Sequence, residues 1–404
     1  VRAMNFNAVN LSLVQRSHAL DDLAQLGGQM QRFVFVETMG CQMNVYDTER
    51  MFEVLGKDGY APTDDVARAD LVLLNTCSIR DKVEHKVVSA LGALRKLKEH
   101  NPELVLGVTG CVAQQEGDKL LGKVPHLDLV LGPDQIPQLP EVVRKIRDER
   151  VRVTETELTH RKHYDFPAAE APGDGRVTSF VTVMKGCNKV CAFCIVPFTR
   201  GREVSKPAAQ VLDEVRMLVD AGVREVTLLG QNVNSYGKDR PAEVDFATLL
   251  GQVAAIDGLH RIRFTTSHPM DCSDALIDQF AHNPKLVPFF HLPIQSGSAR
   301  VLEAMRRHHR VDDYLDKIDR LRELVPGIAL STDIIVGYPT ETETEFEETL
   351  ALLARVRYAT IFSFMYSARP GTRAAELDDD VPLAEKKRRL MAVQTLQDGV
   401  TRDW

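Results

Sequence analysis

The sequence predicts an α/β fold in two parts: an N-terminal open parallel sheet, followed by a partial parallel barrel of six β/α units. Two observations support this prediction. From residue 32 onwards, buried-type strands alternate with amphipathic helices, a rhythm typical of parallel strands joined by right-handed crossovers. The 404 residues also exceed what one hydrophobic core usually organises, so two or three domains are expected.

The first series of elements places three cysteines at equivalent positions. Its predicted strands are the apolar runs 33–36, 71–74 and 104–108, with helical patterns at 47–56 and 81–99. Cys41, Cys77 and Cys111 each follow one of these strands. Ligand sites in open parallel sheets lie beyond the carboxyl ends of the strands, so these cysteines are expected to converge at one edge. The alternative is three unrelated buried cysteines, since free cysteine is a common core residue.

A change in composition separates the two series. Proline, glycine, alanine and charged residues dominate the segment 160–176, as is typical of a linker. We therefore predict an N-terminal extension, a first domain, a linker and a second domain over residues 1–31, 32–150, 151–176 and 177–404. The second domain has predicted strands at 180–184, 225–229, 261–265, 287–291, 328–336 and 361–366. Six units in about 220 residues fall short of the usual eight-unit barrel, so a partial barrel is expected.

Three cysteines within eight residues form the most concentrated chemical signal of the chain. Cys187, Cys191 and Cys194 have the spacing C-x3-C-x2-C and follow the first strand of the second series, where parallel barrels place their active sites. Three thiolates can hold a metal centre and leave one coordination position open. Zinc is the first alternative, but no second cysteine pair or histidine stands at a usual zinc-ligand spacing. A [4Fe–4S] cluster with one iron free of protein ligands fits the pattern better.

Composition narrows the class of protein further. Seven cysteines are an odd number for a disulfide framework, and the remaining one, Cys272, is interpreted as structural. No apolar run approaches the roughly 20 residues that a membrane-spanning helix needs. The N-terminus also lacks the apolar core and cleavage site of a signal peptide, so a cytoplasmic location without membrane association is expected. The net charge of −7 argues mildly against a general nucleic-acid coat, but it permits a local basic surface.

The cysteine loop, with Phe193 before its last cysteine, resembles the radical S-adenosylmethionine (SAM) enzymes. In that family, SAM chelates the open iron, and its reductive cleavage gives a 5′-deoxyadenosyl radical that abstracts hydrogen. The resemblance implies that Phe193 lies against the adenine of SAM. It also implies that Gln231 and Asn232 bind the SAM amino group, although such a pair after a strand is often only a polar turn. Gln295 and Asp333, at later strand ends, are further candidates for the SAM pocket.

Two three-cysteine sets in one chain resemble the methylthiotransferases, a subgroup of the radical SAM enzymes that inserts sulfur and a methyl group at an unreactive C–H bond. In that subgroup an auxiliary cluster carries the sulfur, one SAM methylates it and a second SAM provides the radical. The resemblance therefore implies two [4Fe–4S] clusters and SAM as cofactors. The implied metal ligands are Cys41, Cys77, Cys111, Cys187, Cys191 and Cys194.

Several longer phrases resemble the branch of this subgroup that modifies the isopentenyladenosine next to the anticodon of tRNA. They include Gly-Cys-Gln-Met-Asn-Val-Tyr-Asp at 40–47, Asn-Thr-Cys-Ser-Ile-Arg at 75–80 and Cys-Ile-Val-Pro-Phe-Thr-Arg-Gly-Arg-Glu at 194–203. The product of that branch carries the methylthio group on carbon 2 of adenine. The enzymatic alternatives are a ribosomal-protein aspartate and threonylcarbamoyladenosine in tRNA. The non-enzymatic alternative is a scaffold whose cysteines hold structural metal.

The resemblance also implies partners. They are a tRNA anticodon stem-loop, an electron donor such as flavodoxin or ferredoxin, and proteins that supply cluster sulfur; the chain itself is expected to be a monomer. RNA sites usually combine aromatic stacking with basic phosphate contacts, so Tyr46, Arg80, Arg200 and Arg202 are candidates. The basic run 386–389 is either a solvated helix face or a phosphate contact. The family usually ends in an RNA-binding β-barrel of the TRAM type, and these 404 residues are expected to lack it.

Overall fold

An open parallel sheet forms the N-terminal part of the protein. The computed structural model describes residues 31–78, 82–158, 170–171, 173–240 and 242–403. The strands of this sheet are β1 (Arg32–Met39), β2 (Tyr60–Pro62), β3 (Leu71–Thr76), β4 (Val105–Gly110), β5 (Leu129–Leu131) and β6 (Val153–Glu155). Their spatial order is β2-β1-β3-β4-β5-β6, and every neighbouring pair is parallel.

Helices cover both faces of this sheet. They are α1 (Gln42–Lys57), α2 (Lys82–His100), α3 (Cys111–Glu116), α4 (Asp118–Lys123) and α5 (Leu139–Glu149). One apolar core includes residues of α1 and α5, and a second core on the other face includes residues of α2 and α3. Strands β3 and β4 are consequently buried along their whole length, which explains why their first residues are mostly apolar and do not alternate with polar ones.

Three short strands depart from the sequence prediction. β2, β5 and β6 are three residues long, which is too short for a recognisable hydrophobic pattern. β6 corrects the predicted domain boundary, because it lies inside the proposed linker 151–176 but pairs with β5, for example through Val153 and Leu129. The first sheet therefore continues to Glu155. Most of the predicted N-terminal extension and the linker residues 159–169 lie outside the described residues.

A partial barrel forms the second part, as predicted. Its strands in chain order are β7 (Thr178–Thr182), β8 (Met184–Lys185), β9 (Val204–Ser205), β10 (Glu225–Leu229), β11 (Arg261–Thr265), β12 (Phe289–His291), β13 (Ala329–Val336) and β14 (Thr360–Met365). Two parallel runs, β7-β10-β11 and β12-β13-β14, make up the wall. Backbone hydrogen bonds between Ile262 and residues 285 and 287 join the runs, so six strands follow one another in chain order. β8 and β9 form a separate antiparallel pair.

The helices of this part are α6 (Val196–Arg200), α7 (Ala208–Asp220), α8 (Phe246–Ala254), α9 (Asp274–His282), α10 (Ala299–Ala304), α11 (Val311–Leu324), α12 (Glu343–Val356) and α13 (Leu383–Asp403). Most of them pack on the outside of the wall, whereas the short α6 contacts α3 of the first domain. A single apolar core joins strand residues such as Leu228 and Phe264 to helix residues such as Ile318 and Leu353. Within the described ranges, none of the helices combines the length and the apolar character that crossing a bilayer requires.

The basic run at the start of α13 is largely structural rather than a free surface. Lys386 is buried against Asp379 and the Tyr366 ring, and Arg389 forms an ion pair with Glu341 at 2.8 Å. The side chains of Arg389 and Glu341 are only 5% and 1% exposed. Two of the four basic residues in the run 386–389 are therefore buried, and their ion pairs hold α13 against the barrel.

Replacing Arg389 with leucine is expected to lower the free energy of unfolding by about 3 kcal/mol, because the buried Glu341 loses its cationic partner. Arg388→Leu is the matched control: Arg388 is half exposed and pairs with Glu343 and Glu385 at the surface, so little change is expected. Urea unfolding followed by circular dichroism compares the two variants. Equal losses in both would contradict the structural role given to Arg389.

Candidate active site

The three N-terminal cysteines lie at the carboxyl ends of adjacent strands. Cys41 follows β1 and precedes α1, Cys77 directly follows β3, and Cys111 follows β4 as the first residue of α3. Since β1, β3 and β4 are neighbours in the sheet, one edge carries all three side chains. The expected convergence is therefore present, and we call these residues the sheet cysteines.

Two buried asparagines support the sheet cysteines, and the sequence prediction did not single them out. The Asn44 Oδ1 atom lies 3.3 Å from both the amide nitrogen and the sulfur of Cys41. The Asn44 side chain also donates to the Thr76 carbonyl at 2.9 Å, and the Asn75 side chain donates to the Asn44 carbonyl at 2.8 Å. The available signal was Asn75 itself, a polar residue that directly follows four apolar residues in a buried strand.

Arg200 extends from the barrel into the group of sheet cysteines. Its Nε donates to the Cys111 sulfur at 3.3 Å, and its Nη2 lies 2.7 Å from the Asp47 carboxylate. A hydrogen bond with Cys77 and, to a smaller extent, the charge of Arg200 lower the pKa of Cys41 to about 6 against the raising effect of burial. The environment therefore favours thiolate, the form of cysteine that binds metals.

Gly110 allows the chain to turn between β4 and Cys111. Its φ of +86° and ψ of −157° belong to a region that is almost restricted to glycine, and an added Cβ would collide with the Thr76 carbonyl oxygen. Gly110→Ala is therefore expected to destabilise the protein by about 3 kcal/mol and to reduce iron uptake by the sheet cysteines. Thermal unfolding and iron analysis of the reconstituted protein measure both effects.

Gly92→Ala is the control for this substitution. Gly92 lies on the exposed face of α2, nothing would lie within 4 Å of its new Cβ, and alanine favours helix. The control is expected to gain about 0.5–1 kcal/mol and to take up iron normally. A Gly110→Ala protein with wild-type stability and iron content would show that the turn tolerates a side chain.

The second group, Cys187, Cys191 and Cys194, lies on a loop closed at its base by β8 and β9, and we call these residues the loop cysteines. The Cys187 amide donates to the Gly201 carbonyl at 3.1 Å. The Ala192 amide donates to Met305 at 2.8 Å, which ties the loop to the segment after α10. Burial raises the pKa of Cys187 to about 12 and that of Cys194 to about 11, and for Cys194 it outweighs the lowering effect of the Arg307 charge. Among the described residues, no group of three His, Cys, Asp or Glu is close enough together to hold a single metal ion.

Two basic side chains contact the middle loop cysteine. The Arg307 Nη1 lies 3.6 Å from the Cys191 sulfur, and the His268 Nε2 lies 4.0 Å from it. The His268 Nδ1 accepts from the Met270 amide at 3.2 Å, so the proton resides on the nitrogen that faces the sulfur. Burial holds the pKa of His268 far below its ordinary value, and the ring is neutral. The sequence showed His268 only as a histidine without zinc-ligand spacing.

Two of the predicted SAM residues, Gln231 and Asn232, contact the loop between β8 and β9, and a third, Gln295, lies beside β13. The Gln231 Oε1 accepts from the Gly186 amide, next to Cys187, and the Asn232 Nδ2 donates to Glu203 at 3.3 Å. Gln295, at a φ of +81°, is hydrogen-bonded through its backbone to β13. The outer amide atoms Gln231 Nε2, Asn232 Oδ1 and Gln295 Oε1 are buried without a hydrogen-bond partner. Such orphaned atoms are rare in folded proteins and fit a polar ligand such as the amino and carboxylate groups of SAM.

Phe193 and Asp333, the remaining predicted residues, are partly accessible. Phe193 packs at the margin of an apolar cluster that includes Ile335 of β13. The Asp333 carboxylate is 26% exposed and lies 3.6 Å from the Nε2 of His291. A ligand could therefore contact both side chains, because neither is fully buried in the hydrophobic core.

Asp271 contacts both the cysteine loop and Asn232, one of the residues predicted to bind SAM. Its side chain is 3% exposed and lies 2.8 Å from Lys189, a member of the cysteine loop. It also accepts from Lys238 at 2.6 Å and from Asn232 at 2.8 Å. Burial alone raises the pKa of Asp271, but the hydrogen bonds from Asn232, Lys189 and Lys238 outweigh burial and lower it below its ordinary value. The carboxylate is therefore charged at neutral pH.

A buried interface brings the two cysteine groups to the same side of the protein. Met43 and Tyr46 of α1 pack against Leu229 and Phe180 of the barrel strands. The Lys185 Nζ, at the start of the cysteine loop, lies 2.6 Å from the Asp134 carboxylate of the first sheet domain.

The interface shows that two of the predicted RNA contacts, Tyr46 and Arg200, are wrong. Tyr46 and Arg200 are buried between the two parts of the protein and are not available to an RNA. Arg202 is exposed, and Arg80 lies outside the described residues.

The fold and its cysteine sites define a radical SAM enzyme. The family model described as "Radical SAM superfamily" matches residues 181–353. The model described as "Uncharacterized protein family UPF0004" matches residues 33–132. Among solved structures, the radical SAM methyltransferase TsrM from Kitasatospora setae has a TM-score of 0.62 at 14% identity, covering 86% of this chain and 77% of that one. The cobalamin-dependent radical SAM enzyme OxsB has a TM-score of 0.58 at 11% identity, covering 91% and 56%. At these identities the likeness shows the fold alone.

Sequence relatives define the family within this class. The tRNA-2-methylthio-N(6)-dimethylallyladenosine synthase of Myxococcus xanthus is 54% identical, covering 91% of this chain and 79% of the relative. The proteins of the same name from Syntrophotalea carbinolica and Pseudomonas paraeruginosa are 49% and 50% identical, covering 92% and 90% of this chain and 84% and 82% of the relatives. The chain belongs to the family of tRNA-2-methylthio-N(6)-dimethylallyladenosine synthases. It is a radical SAM methylthiotransferase with SAM and [4Fe–4S] clusters as cofactors, as predicted from the sequence.

Proposed function

We propose that this chain adds a methylthio group to carbon 2 of N6-dimethylallyladenosine, the isopentenyladenosine next to the anticodon of tRNA. One SAM donates the methyl group and a second SAM is the source of the radical. The observation that carries the proposal is the pair of three-cysteine groups on one side of the protein, joined by the buried contacts of Arg200. The 54% identity to the Myxococcus xanthus synthase supports the choice of substrate.

The residues present fit the cofactors. We propose that the loop cysteines hold the cluster that binds SAM and that the sheet cysteines hold the auxiliary cluster. Each set offers three thiol ligands and leaves one iron without a protein ligand. When bound, the clusters and SAM supply the electron, the hydrogen-abstracting radical and the methylthio group. Lowering of the Cys41 pKa to about 6 supports metal binding by the sheet cysteines.

The chain's own residues bind and orient SAM in this proposal. The free Gln231 Nε2 donates to the SAM carboxylate, and the free oxygens of Asn232 and Gln295 accept from its amino group. Asp271 fixes Asn232 in position through its 2.8 Å hydrogen bond. Phe193 provides a partly exposed apolar surface for the adenine, and Asp333 remains a polar candidate inside the barrel.

The proposed partners follow from this chemistry. Reductive cleavage needs a one-electron donor, such as flavodoxin or ferredoxin, and each turnover uses sulfur that supply proteins must restore. The exposed Arg202 is a candidate for a phosphate contact with the anticodon stem-loop. The chain is proposed to be a monomer in the cytoplasm, which is compatible with tRNA as its substrate.

Mass spectrometry of tRNA nucleosides tests the proposal. The gene is expressed in a host that lacks its own synthase but makes the prenylated adenosine, and 2-methylthio-N6-dimethylallyladenosine is expected to appear. A chain with all three loop cysteines changed to alanine is the control and is expected to give none. Methylthiolation found only on a ribosomal-protein aspartate or on threonylcarbamoyladenosine would replace the proposed substrate.

A further inference from the structure

Arg200 is part of the barrel domain in sequence, but its side chain contacts the sheet cysteines of the first domain. It is the last residue of α6 and lies six positions after Cys194. Six residues span at most about 20 Å even when fully extended, so the Cα atoms of Cys194 and Arg200 lie within that distance. The Arg200 residue is 6% exposed, and its Nε donates to the Cys111 sulfur at 3.3 Å. A residue that closely follows the cysteine loop in sequence therefore contacts one of the sheet cysteines.

The charges around Arg200 form a complementary set across the interface. Arg200 and Lys185 flank the cysteine loop and are both cations of the barrel part. Their partners Asp47 and Asp134 are both anions of the first sheet domain, at 2.7 and 2.6 Å. All four side chains are nine-tenths or more buried, and each cation is paired with an anion. Because an unpaired buried charge is costly, these pairs strongly favour one relative placement of the two parts.

We propose that Arg200 is a positioning residue that acts on the auxiliary cluster: it donates a hydrogen bond to the Cys111 sulfur and anchors the sheet cysteines to the loop cysteines through Asp47. An N–H donor and a positive charge beside a cluster ligand stabilise the more negative reduced state, so Arg200 raises the reduction potential of the auxiliary cluster. This inference rests on the proposed assignment of the sheet cysteines to that cluster. It goes beyond that assignment in giving a barrel residue control over the cluster's potential.

The two contacts require the geometry of arginine. The guanidinium presents Nε to the Cys111 sulfur and Nη2 to the Asp47 carboxylate, two acceptors in different directions from one rigid plane. A lysine ammonium keeps the charge but cannot fix both contacts, and glutamine removes the charge. Arg200→Lys and Arg200→Gln therefore separate the effect of charge from the effect of direction.

The test is a redox titration of the reconstituted full-length enzyme, followed by electron paramagnetic resonance, in which added SAM identifies the signal of the loop-cysteine cluster. Arg200→Gln is expected to lower the midpoint potential of the auxiliary cluster and leave that of the other cluster unchanged, with Arg200→Lys in between. Methylthio product is expected to fall 10- to 100-fold, the usual effect of removing an outer-shell partner, while 5′-deoxyadenosine formation stays within twofold. Arg216→Gln is the control, since Arg216 also pairs with an aspartate, Asp213, but at the exposed surface of α7.

An unchanged auxiliary potential in a fully iron-loaded Arg200→Gln enzyme would overturn the proposal and leave Arg200 a purely structural residue. Equal shifts of both potentials would also overturn it, since they would indicate a general loosening of the protein. The potentials are measured without tRNA, so a wrong substrate assignment leaves this result intact. A shifted auxiliary potential in an enzyme that makes no methylthiolated tRNA would support the role of Arg200 and contradict the proposed function alone.

Discussion

Replacing Cys41, Cys77 and Cys111 together with alanine is expected to abolish methylthiolation of tRNA while reductive cleavage of SAM continues. The loop cysteines keep their own supports in this variant, because the Cys187 and Ala192 amides are held by Gly201 and Met305. Iron content is expected to fall from about eight to about four per chain, the content of one four-iron cluster. Iron analysis, chromatography of 5′-deoxyadenosine and nucleoside mass spectrometry measure the three quantities.

The reciprocal variant changes the loop cysteines Cys187, Cys191 and Cys194 to alanine. It is expected to lose SAM cleavage and methylthiolation together and to keep about four irons on the sheet cysteines. Cys272→Ala is the control: Cys272 is buried in the barrel core and belongs to neither group, so about eight irons and both activities are expected to remain. Methylthio product from a chain without the sheet cysteines would refute the division of roles between the two groups.

Local sequence was sufficient to predict where the cysteines lie. Each sheet cysteine follows an apolar run that predicts a strand; β3 and β4 are buried throughout, whereas β1 is mostly half-buried, and the parallel strands end at a common edge. The barrel strands β10 and β11 have the residues that the sequence predicts. Strand ends and cysteine positions are local properties, and they define most of the site.

Interactions between residues distant in sequence account for what the prediction missed. The edge strand β6 forms because β5 offers it a partner, and its three residues carry no pattern of their own. Arg200 has the same local sequence whether it meets a phosphate or a buried carboxylate. Only the fold brings Asp47 to within 2.7 Å of it, so the burial of Arg200 could not be inferred from the sequence. The same holds for His268 and Arg307 beside Cys191.

Asp271→Ala is expected to weaken SAM binding and iron retention by the loop cysteines 10- to 100-fold, the usual effect of losing a partner behind the ligands. The carboxylate holds Lys189 of the cysteine loop and the SAM candidate Asn232 at once, at 2.8 Å each. Its removal leaves Lys189 and Lys238 without their shared counter-charge and frees the Asn232 amide to rotate. The single substitution therefore removes a support of the cysteine loop, with its three cysteines, and a support of Asn232, the candidate SAM-binding residue.

The variants Asp271→Asn and Asp274→Asn separate the possible causes. The pKa of Asp271 is lowered, so the native side chain carries a full charge at neutral pH, and the asparagine keeps its shape while removing that charge. Asp271→Asn is expected to resemble the alanine variant if charge pairing with the lysines dominates. Asp274→Asn, three residues on, alters an exposed pair with Arg320 and is expected to bind SAM normally. Calorimetric SAM titration and iron analysis distinguish these outcomes. Normal SAM affinity and a stable cluster in Asp271→Ala would show that the cysteine loop holds its geometry without this carboxylate.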